Sequence, residues 1–149
     1  MTAASRFWDF SVRLYGRPGV EDACLSLQDD FGADVNMVLF CLWRGPLSVA
    51  ALDDALAAAR PVREGCVVPL RRLRRALSRD GDEAALRRAV KAAELEAERL
   101  AQARLAATVP DDTPPDPAAA RDNLALYAER LRADRTAFLA AAAPLLAAL

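Results

Sequence analysis

Apolar residues recur at intervals of three and four along most of the chain, and no segment alternates in the two-residue rhythm of a strand. Ser5–Tyr15 carries Phe7, Phe10, Ser11 and Leu14 at helical spacing, and Gly16-Arg17-Pro18-Gly19 ends it. A second helix is expected over Val20–Phe31. Glu21 and Asp22 sit in its first turn, where carboxylates favour the positive end of the helix dipole, and Gly32 is placed to close it. A third, Asp34–Trp43, begins at a capping aspartate and is apolar on every side from Met37 onward, which assigns it to the core. Ser48 predicts the cap of a fourth helix, with Leu47 and Leu52 as its hydrophobic staple and an end near Ala59.

Arg60–Val68 contains Pro61 and Gly65 and reads as a loop. Pro69 then opens a short fifth helix ending near Ser78. A long helix follows from Asp82 to about Thr108, with Leu86, Val90, Ala93, Ala97, Leu100, Arg104 and Ala107 in a four-three pattern. The proline-rich loop 110–117 separates it from a last helix carrying Leu124, Tyr127, Leu131, Asp134, Phe138, Ala141 and Leu145 in the same rhythm. Two such helices predict an antiparallel hairpin. The expectation is one all-α domain over 1–149, of about six to seven helices. Its compact short-helix section covers 1–80, and the long C-terminal helical hairpin covers 82–147.

Composition narrows the chemistry. The 149 residues include no histidine, which removes Ser-His-Asp triads, Cys-His pairs and imidazole metal ligands. Cys24, Cys41 and Cys66 lie in apolar contexts at spacings that match no zinc or redox motif, so they are expected as buried, reduced thiols of a cytoplasmic protein. No cofactor or metal is expected. The N-terminus shows no secretory leader pattern, and the longest apolar run, 137–149, is too short for a membrane span, which needs about 20 residues.

A formal charge of −1 conceals a partition: residues 1–59 carry −4, residues 60–88 carry +5, and residues 89–149 carry −2. The basic section centres on Arg71, Arg72, Arg74 and Arg75. Leu70, Leu73 and Leu77 are taken as the buried stripe, which fans these arginines over the exposed side. Arginine pairs bidentately with phosphate or carboxylate, so the helix suits an acidic partner, a phosphorylated ligand or nucleic acid, or is a solvated face paired with the acidic N-terminal section of the same chain. Nucleic acid is disfavoured, because the chain is not basic overall and the segment lacks aromatic residues for stacking.

A second candidate surface is Gln28, Asp29, Asp34 and Asn36, at the junction of helices two and three. Asp29 and Asp34 are a weak carboxylate pair with no second catalytic group beside them. Asn36 lies in an apolar helix, where a buried amide requires partners. Glu94, Glu96 and Glu98, near Lys91 and Arg99, read as a solvated face with local ion pairs. Seven of the nine aromatic residues lie between Phe7 and Trp43 and are expected in the core or along a partner groove.

Several segments resemble a small family of uncharacterised, proteobacterial-type proteins. They are Phe7-Trp8-x-Phe10-Ser11 with Leu14-Tyr15 and Val20, Ala23-Cys24-Leu25-x-Leu27-Gln28-Asp29, Gly32-Ala33-Asp34-Val35-Asn36-x-x-Leu39 with Trp43, and Val68-Pro69-Leu70-Arg71-x-Leu73-Arg74-Arg75. The likeness extends through Glu94-Leu95-x-Ala97-Glu98 and covers roughly residues 1–105. It implies an all-helical cytoplasmic protein with no assigned activity, cofactor or partner. The expected function is that of a non-catalytic interaction or adaptor module with a protein partner, a homodimer being compatible with the apolar C-terminal arm. Nucleic-acid binding or regulation through helix 69–79 is the alternative.

Overall fold

The computed structural model describes residues 2–110 and 116–149, and their regular structure is all helical. Helix α1 spans Ala3–Tyr15, α2 Val20–Phe31, α3 Val35–Trp43 and α4 Val49–Val62. The local signals place these four closely. Asp34 caps α3 through a hydrogen bond from the Asn36 amide, Ser48 caps α4 through one from the Ala51 amide, and Gly32 ends α2 with φ at 68°. The prediction for α3 also holds, since Met37 through Trp43 are all buried.

Arg60–Val68 is not a loop. Helix α4 continues through Pro61 to Val62, passes into a π turn at Arg63–Val67, and continues as α5, Val68–Ala76. The Val68 amide donates to the Arg63 carbonyl, the wider bond of a π turn. That extra residue lets the chain pass Gly65 and Pro69 without stopping. Gly81, with φ at 74°, then turns the chain through a 3-10 turn at Gly81–Glu83 into α6, Ala84–Ala106.

The expected second arm of a hairpin takes another form. After a 3-10 turn at Pro117–Ala119 the chain makes α7 (Ala120–Arg130), α8 (Arg135–Ala141) and α9 (Ala143–Ala147). The break falls at 131–134, where Arg132 adopts φ 55° and Asp134 caps α8 by accepting from the Ala137 amide. Helix α7 packs on α3, while α8 and α9 pack on α2; α6 packs chiefly on α1, α4 and α5. The proline-rich stretch 111–115 lies outside the described residues.

The main core joins both ends of the sequence. Phe7 stacks on Trp43 with ring centres 4.9 Å apart and meets Phe40 edge-on at 5.7 Å, while Phe138 meets Phe31 and Tyr127 at 5.3 and 6.2 Å. A smaller cluster of Val62, Val67, Ala97 and Ala101, with Leu70 against it, attaches the π turn and α5 to α6. No helix of the described residues is long and apolar enough to cross a membrane.

Candidate interaction surface

The arginines of α5 divide by face. The helix is rotated relative to the stripe expected from Leu70, Leu73 and Leu77: Leu73 is 45% exposed, whereas Arg71 and Arg74 turn toward α6. Their side chains are 18% and 20% exposed, and both meet Glu94. Arg74 Nε donates to Glu94 Oε2 and its Nη2 donates to Oε1 at 3.2 Å. Arg71 Nε lies 3.4 Å from Glu94 Oε1, and its Nη2 donates to Glu98 Oε1 at 3.3 Å. Glu94 is therefore a buried anchor, not part of a solvated face. Val90, Ala97 and Ala101 are buried on the same helix, and Ala97 and Ala101 pack with Val62, Val67 and Leu70 to hold α5 and the π turn against it.

The electrostatics follow. Burial raises the Glu94 carboxyl, but the hydrogen bond and charge of Arg74 and the charge of Arg71 outweigh it and hold it below the ordinary range. Glu98 goes the other way, because burial and the Glu94 charge together exceed the help from Arg71. Arg99, expected to pair with a neighbouring glutamate, instead lies 5.1 Å from the Trp8 ring centre.

The α2–α3 junction is structural in its details. Asp34 Oδ2 lies 3.5 Å from Arg63 Nε at the start of the π turn, and the Asp34 amide donates to the Tyr127 hydroxyl at 2.9 Å. Burial raises the Asp34 carboxyl despite Arg63. Asn36 accepts from Gln102 Nε2 at 3.1 Å, and Gln102 also exchanges hydrogen bonds with Ser11. That supplies the partner a buried amide needs and ties α1, α3 and α6 together. Gln28 is half-buried and Asp29 is exposed on α2. The groups acting most strongly on Asp34 are Arg63, Asn36 and Arg71, so Asp29 and Asp34 do not form a carboxylate pair.

A shallow groove of about 280 Å³, lined by Phe10, Arg13, Leu14, Arg17, Ala148 and Leu149, includes none of the four junction residues. Among the described residues no group of histidine, cysteine, aspartate and glutamate is arranged to hold a metal. The cysteines are free. Cys24 and Cys41 are buried, and burial pushes both thiols up to about 12. Cys66 corrects the expectation, because the π turn leaves it exposed.

What remains outward on α5 and the start of α6 is mostly basic, with exposed Asp80, Asp82 and Glu83 in the connection between them. Arg72, Arg75 and Arg79, with Arg88 and Lys91 on the first turns of α6, are exposed, and none of them makes an ion pair among the described residues. Leu73 and Leu86, 45% and 53% exposed, belong to the same two helices.

One residue that holds this frame carries little signal in the sequence. Asn123 of α7 donates to the Cys41, Arg44 and Gly45 carbonyls at 3.1–3.2 Å and accepts from the Leu47 amide at 2.9 Å. It secures the Gly45-Pro46 turn. Its only sequence signal is an amide on the apolar side of an otherwise ordinary helix.

A protein-family model matches residues 6–105, two-thirds of the chain; its description is "Protein of unknown function (DUF2390)". No curated protein and no solved structure matches the chain. The match covers α1 to α6 and stops before α7. The chain belongs to that family.

Proposed function

We propose that this family member is a non-catalytic interaction module whose working surface is the outer side of α5 with the first turns of α6. The observation that carries the reading is the division of the arginines. Arg71 and Arg74 clamp α5 to α6, which leaves Arg72 and Arg75 to flank an exposed Leu73 on the solvent side of the same helix. Cations around a solvated leucine fit an acidic protein surface with an apolar centre, because the leucine contributes burial and the arginines contribute orientation and encounter rate. Phosphate recognition leaves the leucines without a role, and the face has no aromatic residue on which a base could stack. Three unpaired thiols suit a reducing, cytoplasmic setting. We take the chain as one domain, since α7–α9 complete the core begun by α1–α3.

A labelled acidic peptide containing one leucine tests the surface by fluorescence anisotropy. Binding should weaken at least about tenfold in R72E/R75E, the scale of lost charge pairing at an interface. Equal binding by both proteins removes the surface from consideration. A steeply salt-dependent shift of DNA or RNA, with no peptide binding, establishes the nucleic-acid alternative.

A further inference from the structure

The basic face has a counterpart within the same chain. Helix α2 turns Glu21, Asp22, Leu25 and Asp29 to solvent, with Leu25 38% exposed between the two aspartates. Helix α5 turns out Arg72, Leu73 and Arg75, with Leu73 45% exposed beside the two arginines. Both faces have an apolar centre and opposite charge. Neither is used internally: among the described residues Asp22, Asp29, Arg72 and Arg75 make no ion pair. The opposition extends to the segments around them, since residues 1–59 carry −4 and residues 60–88 carry +5.

We infer that the acidic partner of α5 is a second copy of this chain, presenting the outer face of its α2. The inference rests on the interaction reading above and adds the identity of the occupant. In the contact, Leu73 of one copy covers Leu25 of the other, and Arg72 and Arg75 lie against Asp22 and Asp29. Every copy carries both faces, so the contact is made reciprocally in a closed dimer or repeated from copy to copy. Association is strongest at low ionic strength, because the charges lie at the rim of the leucine contact.

Light scattering with size exclusion reads the test directly against the 16.1 kDa monomer. The wild type should show a mass of at least a dimer at low salt, rising with concentration, and should return to monomer near 1 M salt, where the Debye length is about 3 Å. Two charge-reversal variants, R72E/R75E and D22R/D29R, should each be monomeric, because each sets like charges against one another. Their circular dichroism spectra should keep the wild-type helical signal, the four side chains being exposed, with melts lowered by a few degrees because the dipole-favoured charges at Asp22 and Arg75 are reversed and the stabilisation from association is lost. Mixed in equal amounts they should regain the larger mass, since one then offers two acidic faces and the other two basic ones.

A wild type that stays monomeric at every concentration overturns self-association. So do variants that assemble alone as well as wild type does, or a mixture that fails to reassociate. Monomeric wild type that still binds the acidic peptide, with binding lost in R72E/R75E, overturns the second copy as occupant while the interaction reading stands.

Discussion

Glu94 shows how one side chain sets the orientation of an element. Two guanidinium groups converge on its buried carboxylate, so removing it leaves Arg74 without an ion-pair partner at a half-buried position and Arg71 with Glu98 alone. Glu94→Ala should destabilise the protein by about 3 kcal/mol, the lower range for breaking a buried pair by deleting one partner. For a chain of this length that lowers Tm by roughly 10 °C, measured by calorimetry. The pH dependence has a defined sign. The folded carboxyl titrates below its unfolded value, so its contribution is complete above the ordinary carboxylate range and is lost as pH falls through the depressed value. Asp34 and Glu98, raised by burial, act oppositely and favour the fold as pH falls toward their unfolded values. Acid titration of Glu94→Gln should therefore show a shallower loss of stability than wild type. Asn123→Ala orphans the Leu47 amide and three carbonyls, and should cost about 2 kcal/mol by denaturant unfolding. Neither role was legible in the sequence. Glu94 has charged neighbours at helical spacing like any surface glutamate, and its buried setting exists only once α5 lies across α6.

At the scale of elements, local signals sufficed wherever a cap or a glycine decided the outcome. Asp34, Ser48 and Gly32 end or begin their helices as their chemistry requires. The reading failed where geometry was shared between turns. Pro61 and Gly65 look like breakers, yet α4 runs through Pro61 and the π turn takes in Gly65. The rhythm of the last helix runs straight through Asp134 because the residue fits the seam, although an aspartate that accepts from the amide three residues on is also a cap. Two glycines give opposite predictions. Gly65 has helical neighbours and open space where a Cβ would stand, so Gly65→Ala should stabilise by about 0.5–1 kcal/mol. Gly32 also has open space but φ at 68°, so Gly32→Ala should destabilise by about 1 kcal/mol. Thermal melts of the pair separate backbone conformation from packing, since neither side chain meets a neighbour.

For the whole molecule, the all-helical class was legible from periodicity and the core from the aromatic crowding before residue 44. The partners of the C-terminal helices were not. A heptad-like rhythm predicts that a helix has a stripe, and says nothing of which neighbour takes it; Phe138 and Leu145 spend theirs in the main core beside α2 and α3. The consequence of greatest reach lies in how α5 is attached. None of its residues is buried, and its hold on the rest is the Arg71–Arg74–Glu94–Glu98 clamp, Leu70 against the small cluster, and the tie of Arg63 to Asp34. Its amides should exchange with deuterium well before those of α3, and faster still below the pH at which Glu94 takes up a proton. The proposed partner surface is then the part of the molecule that opens first, and a partner that binds it should slow that exchange while leaving the aromatic core unchanged.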